Sequence, residues 1–459
     1  MALIDFKVLP GIDKQDTASG AENRWIDCDN TRFRYGLPEK VGGWSSLVTD
    51  TIVGVARRQF AFVDLDGNRY IAIGTDKFLL IYFEGQLYDI TPLKATLASC
   101  TIATTNNSAV CSITKSNHGL SAGDIVLLDN VTLPGGTGYQ NSDFEDKLFQ
   151  VTSITSTSVF TITQSSNATA TVSTGGSLQV KPYEQVGPAE QSYGYGWGID
   201  TWGSGAWGEA ASASDVSLEP GLWSLSNFGQ VLIATIANGK TFTWNAGDAS
   251  RLTVRASTST SGFSTSANPT ATRVSLVSPT TRHLIHLGTE TTIGDTSTQD
   301  DMFIRFSDQE DINDYTPTAI NSAGSQRLQD GTKIIGSLKA KEVILVWTDN
   351  ALYTMKFIGA PFTFGFEQVG TNCGLIGKNA AVEIDGVAFW MSNNGFFMFD
   401  GTVKSLPCSV EDYVYDQADT TKGQQIYAGL NNQFTEVVWY YPSTSSDYND
   451  QYVVLNYGE

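Results

Sequence analysis

Few residues of this chain stand in patterns that could do chemistry, and one such pattern suggests phosphate binding. Residues 234–241, ATIANGKT, match a relaxed form of a phosphate-binding loop. Such a loop needs a helix directly after it, because the amides at the helix N-terminus hold the phosphate. Here Phe242-Thr243-Trp244 follows, which predicts a strand. We therefore interpret the segment as a turn between two strands.

The three histidines form no recognisable motif. His283 and His286 are three positions apart on a predicted strand, which places them on opposite faces, and His118 lies in a predicted turn. No HExxH or Gly-x-Ser-x-Gly motif and no Cys–His constellation occurs. No catalytic residue is predicted, and the chain is expected not to be an enzyme.

The acidic residues are numerous but do not form a metal-binding pattern. The run 307–314 lacks the Gly and the terminal Glu of a calcium loop, and residues 64–68 are typical of a hairpin turn. We interpret both as turns, with a calcium site as the alternative for 307–314. No metal and no cofactor is expected. A carboxylate pair for glycoside hydrolysis would be a spatial arrangement that residue order does not reveal.

Any site must be positioned by β-strands, since composition disfavours long helices. The 459 residues include 44 Gly and only 17% charged residues, while 10 Trp, 18 Tyr and 23 Phe supply bulk. Low charge with abundant Thr, Gly and aromatic residues is typical of strands joined by tight turns. At roughly 150 residues per domain, the length predicts two to four structural units.

The charge balance argues against nucleic-acid binding. With 28 Lys and Arg against 48 Asp and Glu, the net charge is −20, whereas proteins that grip DNA neutralise its phosphates with basic residues. Neither a signal peptide nor a membrane span is visible, so synthesis in a cytoplasm is expected. The five scattered cysteines are expected to be free thiols.

A strand–turn–strand unit recurs along the chain. Each apolar strand leads through a Thr/Ser-Asp/Asn turn into a second apolar strand. These turns are 75–77, 237–240, 348–350 and 392–395. Both faces of such strands need cover, which small sheets stacked around an axis would provide. The predicted fold class is therefore all-β, a β-propeller with an inserted small β-module, and a β-sandwich is the alternative.

The pattern divides the chain into four segments. They are an N-terminal arm with its opening segment (1–50), first propeller strands (51–97), an inserted β-module containing HGLSAGDIV (98–182) and the remaining blades (183–459), the last of which is expected to be incomplete. One short helix is predicted, with Ser409 as its N-cap and Asp412 three residues later.

Candidate partner contacts come from two regions. Residues 193–209, YGYGWGIDTWGSGAWGE, predict an aromatic loop whose rings pack on a neighbouring blade or contact a partner. The arginine-containing stretches are expected at subunit contacts. The candidate residues are Arg32, Arg34, Arg57, Arg58, Tyr193, Tyr195, Trp197, Trp202 and Trp207.

Residues 303–357 and 367–414 resemble the packaged-DNA stabilisation, or tail-nozzle (tail hub), proteins of short-tailed bacteriophages. The shared order is a strand, an Asp/Glu-rich turn, Gly331–Gly336 leading to an apolar strand, and a Thr/Ser hairpin. Gly370…Gly374-Leu-Ile-Gly377 and the short helix follow. The segment 25–44 looks like the opening of such virion propellers, and HGLSAGDIV is similar to small modules of phage tail proteins.

The resemblance implies a structural virion protein that forms a ring of six copies at the distal end of a phage tail. Such a ring retains packaged DNA and forms the ejection conduit. The implied partners are further copies of the chain, adaptor or portal-side proteins, a tail fibre or tailspike, and DNA that passes without sequence-specific binding. The protein would be made in the host bacterial cytoplasm and located in the virion.

Two alternatives compete with this interpretation. A receptor- or glycan-binding tail protein would use the aromatic residues of 193–209 to stack on sugars. A glycoside-cleaving propeller enzyme would place two carboxylates about 5 to 10 Å apart in one pocket.

Overall fold

The computed structural model describes residues 8–17, 19–46, 48–191, 219–260 and 263–458. Its architecture is a six-bladed β-propeller with a β-barrel inserted after the first blade. This confirms the predicted fold class. Among the described helices, none has the length and apolar character needed to cross a membrane.

The N-terminal arm consists of two small strand pairs. Its strands are β1 (Leu9–Ile12), β2 (Arg24–Trp25), β3 (Thr31–Arg34) and β4 (Leu37–Lys40). The first two pair in parallel and the second two form an antiparallel hairpin. Blade 1 follows as β5 (Ala56–Val63), β6 (Arg69–Thr75), β7 (Leu79–Phe83) and β8 (Gln86–Asp89).

The inserted module is a closed six-stranded barrel. Its strands are β9 (Leu97–Thr104), β10 (Val110–Thr114), β11 (Ile125–Thr132), β12 (Lys147–Ser156), β13 (Val159–Thr163) and β14 (Val172–Pro182), with a 3₁₀ turn at Asn141–Asp143. The chain enters and leaves side by side, since Leu97 pairs with Val180. Ile125 and Leu127 of the barrel pack on the apolar cluster of blade 1 around Phe78.

The remaining five blades follow the barrel. Blade 2 is β15 (Trp223–Phe228), β16 (Val231–Ile236) and β17 (Thr241–Asn245), extended by the hairpin β18 (Ser259–Thr260) and β19 (Phe263–Ser264). Blade 3 is β20 (Thr272–Val277), β21 (Leu284–Thr289), β22 (Phe303–Phe306) and β23 (Gly324–Arg327), with a 3₁₀ turn at Thr296–Thr298. Blade 4 is β24 (Ile334–Lys339), β25 (Ile344–Thr348), β26 (Ala351–Gly359) and β27 (Thr363–Thr371).

Blades 5 and 6 complete the propeller. Blade 5 is β28 (Ala381–Ile384), β29 (Val387–Ser392), β30 (Gly395–Phe399) and β31 (Val403–Ser405). The helix α1 (Glu411–Gln417) and a 3₁₀ turn (Thr420–Gln425) lead to blade 6, which is β32 (Tyr427–Asn431), β33 (Glu436–Pro442) and β34 (Asn449–Asn456). The first strand of each blade is the innermost, and these inner strands pack on one another.

The recurring Thr-Asp turns occupy equivalent places, between the second and third strands of their blades. The Thr75 hydroxyl accepts the amide of Phe78 at 2.7 Å, and the Thr348 hydroxyl accepts the amide of Ala351 at 2.8 Å. Each hydroxyl therefore holds its own turn closed, in the way expected of Thr and Ser in tight turns.

The aspartate of the same turn ties the turn to the start of the inner strand. Asp76 accepts the amide of Val55 at 2.6 Å, and Asp349 accepts the amide of Thr332 at 2.8 Å. Gly331, at φ +115°, is required beside this contact because a Cβ there would lie 2.7 Å from Asp349 Oδ1. In blades 1 and 4 the Thr-Asp pair therefore ties the turn to the start of the inner strand of the same blade.

Buried tryptophans fasten one blade to the previous one. Trp223, Trp390 and Trp439 donate their indole N–H groups to the carbonyl oxygens of Thr75, Cys373 and Ala380, at 3.0, 2.8 and 3.0 Å. Each ring contributes apolar area to a blade interface while its polar atom is satisfied.

The short helix differs from its prediction. Its N-cap is Val410, without a side-chain hydrogen bond, and Ser409 is not the cap. The Ser409 hydroxyl instead donates to the carbonyl oxygen of Ile12 at 2.6 Å. The prediction of Ser409 as N-cap was therefore wrong because its hydroxyl holds the N-terminal arm, a tertiary contact that local sequence does not reveal.

Candidate functional site: the cationic centre of the propeller

Three cationic side chains from different blades meet at the centre of the propeller. Arg58 lies on β5 of blade 1, Lys339 ends β24 of blade 4, and Lys378 lies just before β28 of blade 5. All three stand on or next to innermost strands, and all three are half-buried. We call them the axial cluster.

The lysines of the axial cluster donate hydrogen bonds to uncharged acceptors on non-adjacent blades. Lys339 Nζ donates to the hydroxyl of Ser226, on the inner strand of blade 2, at 2.9 Å. Lys378 Nζ donates to the carbonyl oxygen of Arg273, on the inner strand of blade 3, at 3.3 Å. These two contacts bring side chains of blades 4 and 5 against blades 2 and 3.

Asn379 connects the cluster to the junction between the first and last blades. Its side-chain oxygen accepts from Arg58 Nη1 at 3.2 Å, and its amide nitrogen donates to the carbonyl oxygen of Arg57 at 3.0 Å. Its backbone forms a bridge with Tyr427 at the start of blade 6. One buried asparagine therefore links three blades.

A second group of charges beside the cluster is neutralised. Arg273 Nη2 lies 2.6 Å from Glu219 Oε1 and its Nη1 lies 3.3 Å from Asp301 Oδ2. Lys333 Nζ also contacts Glu219, at 3.2 Å. Two cations thus meet two carboxylates, whereas no carboxylate among the described residues forms an ion pair with a member of the axial cluster.

Burial and mutual repulsion disfavour the charged forms of the cluster. Burial lowers the pKa of Lys378 to about 7, with further lowering by Arg58 and Arg273 and a smaller opposing effect of Glu219. Burial and the charge of Arg58 lower the pKa of Lys339 to about 8. Lysines with such pKa values exchange protons near neutral pH and can serve as anion ligands or as bases.

Arg57 and Arg58 make contacts inside the propeller, and their role at a subunit contact stays a prediction. Arg57 and Arg58 were expected at subunit contacts, but β5 is an innermost strand and directs them into the propeller. Arg57 is buried and donates to the carbonyl oxygen of Ala189, while Arg58 belongs to the axial cluster. Both therefore make contacts within the chain.

The other two arginines hold the N-terminal arm on blade 6. Arg32 Nε lies 3.1 Å from Glu436 Oε1, and its guanidinium stacks over Phe434 at 3.4 Å from the ring centroid. Arg34 is exposed and lies 5.2 Å from the ring of Tyr35. Their role at a subunit contact stays a prediction. The aromatic candidates Tyr193, Tyr195, Trp197, Trp202 and Trp207 lie outside the described residues.

The motifs that suggested other chemistry are parts of the fold. Residues 237–240 form the turn between β16 and β17, and a strand follows where a phosphate loop needs a helix. His286 Nε2 lies 3.0 Å from the hydroxyl of Tyr315, and burial lowers its pKa to about 3. His283 Nε2 lies 3.0 Å from the hydroxyl of Ser322. His118 closes a barrel turn by accepting the amide of Leu120 at 3.0 Å.

Two groups of carboxylates are also explained by local contacts. In the acidic turn, Asp308 accepts the amide of Ser322 at 2.8 Å. In the barrel, ligand atoms of Asp129, Glu145 and Asp146 lie within 4.8 Å of one another, a cluster that sequence analysis missed. Lys181 forms an ion pair with Asp129 there, so part of the negative charge of this carboxylate cluster is already neutralised.

Sequence analysis also missed Lys339 and Lys378. Each follows a short apolar run, IIGSLK or CGLIGK, at the edge of an inner strand. This position could have indicated a site, because a lysine at one end of an inner strand lies close to the inner strands of other blades. The order of residues did not predict that side chains of blades 4 and 5 would contact blades 2 and 3 at the axis.

No known protein family and no curated protein matches this chain. Solved structures do match. "Phage phi92 endosialidase" is 12% identical, with a TM-score of 0.22, over 90% of this chain and 57% of that one. The computationally designed Ika8 protein is 7% identical, with a TM-score of 0.31, over 85% and 82%. An ancestral GH74 enzyme is 8% identical, with a TM-score of 0.30, over 92% and 59%.

These matches correct one prediction. The chain was expected not to be an enzyme because it lacks catalytic sequence motifs. That prediction was wrong, since an endosialidase and a GH74 enzyme are among the structures that match it. At these identities the likeness concerns the fold, and the chain spans little more than half the length of the endosialidase.

Proposed function

We propose that the chain is a virion protein of a phage tail, which forms a ring at the distal end of the tail, retains packaged DNA and provides the ejection conduit. The sequence resemblance over residues 303–357 and 367–414 motivates this proposal. The observation that carries it is the acidic net charge of the chain, because a DNA conduit must not hold the duplex that slides through it.

The net charge of the chain is strongly acidic. The chain carries −20, and charges of both signs are buried in the fold, among them Arg57, Arg273, Asp64, Asp76 and Glu290. Burial therefore does not reverse the excess of acidic residues. Six copies would carry a formal charge on the order of −120. A surface of this kind repels duplex DNA.

The test is the assembly state of the purified full chain, followed by its affinity for DNA. Mass photometry and negative-stain images should show a closed ring, in which we expect six copies, with a central bore. The ring should not retain a duplex in a gel-shift experiment in low salt. A chain that stays monomeric at every concentration measured would contradict the proposal.

A glycan-binding tail protein is the second candidate. It is favoured by aromatic side chains exposed near the N-terminal arm, Trp44 at 87% and Tyr35 at 84%. Flat rings of this kind can stack on sugars. This candidate predicts hits on a glycan array that Trp44→Ala removes, and an array without hits would exclude it.

A further inference from the structure

The axial cluster gathers three partly buried cations that lack a carboxylate partner in the described part of the chain. Another interior cation, Arg57, donates to a backbone carbonyl oxygen, and Arg273 pairs with the carboxylate of Glu219. Arg58, Lys339 and Lys378 come together without such a partner among the described residues. Burying like charges without a counter-charge is costly. A bound anion would offset this cost where three cations lie together.

From this arrangement we infer that the axial cluster is a binding site for a small oxyanion, a phosphate-like or carboxylate group, at the centre of the propeller. This inference goes beyond the proposed conduit function. It concerns the isolated chain and does not depend on ring formation.

The donors needed to hold an oxyanion are present and largely unused. An ammonium group has three N–H donors, and one on Lys339 and one on Lys378 is engaged. A guanidinium has five, and one on Arg58 is engaged, by Asn379. The cluster therefore combines a planar fork, which suits paired oxygens, with two point charges.

The enclosure of the site limits the size of its ligand. All three side chains are half-buried among inner strands, and Lys339 and Lys378 are anchored to the non-adjacent blades 2 and 3. A helix of DNA cannot bring its phosphates into such a space. A group of a few heavy atoms can, so the ligand is a free anion or the acidic end of a small molecule.

Binding must be coupled to proton uptake. The groups that face Lys378 are Arg58, Arg273 and Glu219, and Arg58 also faces Lys339. An anion would raise the pKa of both lysines above their values of about 7 and 8. The anion-free protein therefore takes up protons on binding near neutral pH, and its affinity falls as pH rises.

Titration calorimetry of the full chain with sodium sulfate tests the inference, because sulfate keeps its charge between pH 6.5 and 8.5. Ionic strength is held constant with sodium chloride. We expect saturable binding that is at least tenfold tighter at pH 6.5 than at pH 8.5. Repeating the titration in buffers of different ionisation enthalpy should show proton uptake. Parallel titrations with phosphate and acetate distinguish a tetrahedral oxyanion from a carboxylate.

Variants locate the site. Lys339→Met with Lys378→Met should weaken binding at least tenfold, and Lys341→Met, an exposed lysine two residues from Lys339, should leave it unchanged. Circular dichroism checks that the double variant folds, and the proton uptake of the unmodified chain provides a readout if it does not. Absence of saturable binding of all three anions, or equal loss in the Lys341 variant, would overturn the inference.

Discussion

The inserted barrel and the propeller are both β-structures closed around an axis, yet their centres have opposite chemistry. The barrel axis is filled by apolar side chains such as Ile102, Val126 and Phe160, each at most 1% exposed. The propeller axis holds three half-buried cations and the amide of Asn379. The same kind of closure therefore gives an inert core in one region and a polar site in the other.

The difference follows from how each region closes. In the barrel, six strands close by backbone hydrogen bonds, and the side chains that alternate inward must fill the space between them. In the propeller, each blade satisfies most of its own backbone, and the apolar contacts lie between blades. The axis is lined by the edges of inner strands and by residues next to them, and free backbone groups there accept polar side chains, as the Arg273 carbonyl oxygen accepts a hydrogen bond from Lys378.

The largest expected effect lies in the barrel. Phe160→Ala should remove about 3–5 kcal/mol of barrel stability, because the lost apolar area leaves a cavity in a closed core. Hydrogen exchange measured separately for residues 97–182 and for the blades should show the loss in the barrel. Val110→Ala, at a position 41% exposed, is the control and should change little. Equal loss of protection in all blades would show that the two regions form one cooperative unit.

A smaller loss is expected at the propeller axis. Asn379→Ala removes one hydrogen bond to the Arg57 carbonyl and one from Arg58, at a cost of about 2 kcal/mol. Chemical denaturation should show this loss, while Asn393→Ala on an exposed turn stays near zero. A loss as large as that of Phe160→Ala would mean that polar contacts dominate at the axis, and the contrast between the two centres would fail.

The contrast also separates the features that the sequence predicts from those that it does not. The Thr-Asp turns at 75–77 and 348–350 predicted strand pairing, because they are local devices whose parts lie within a few residues. Apolar strand faces predicted stacked sheets. The axial cluster was missed because Arg58 and Lys378 are 320 positions apart and meet only when the closed propeller brings blades 5 and 1 to the same axis.

Ser409 and the two arginines of β5 show the same limit of residue type as a guide to contacts. Ser409 has the residue type of an N-cap, but its hydroxyl is engaged by Ile12 at the other end of the chain. Arg57 and Arg58 have the residue type of surface contacts, but the position of β5 turns them inward. Residue type predicts what a group can do, whereas the partner is chosen by long-range packing.

The pH dependence of stability should sharpen the comparison further. Lys378 has its pKa lowered to about 7 by burial, from an unfolded value near 10.5. Between these values the unfolded chain holds the extra proton, so stability rises with pH, by at most about 1.4 kcal/mol per unit for one group. Denaturation at pH 6.5, 7.5 and 8.5 should show this slope in anion-free buffer, and Lys378→Met should reduce it. An unchanged slope in the variant would assign the effect to other groups.

The smallest expected effect is on DNA. Three cations gathered at one point could serve as a basic patch, and a patch that reached the surface would bind duplex with strong salt dependence. Because Arg58, Lys339 and Lys378 are enclosed by the blades, we expect no duplex retention by the isolated chain. Low salt tests this most stringently, since the Debye length grows to about 30 Å at 0.01 M and attraction would be strongest there. A gel shift at 0.01 M salt that disappears at 0.15 M and with Arg58→Ala would show that the axis is open to the phosphate backbone. The enclosed anion site would then have to be replaced by an active grip on DNA.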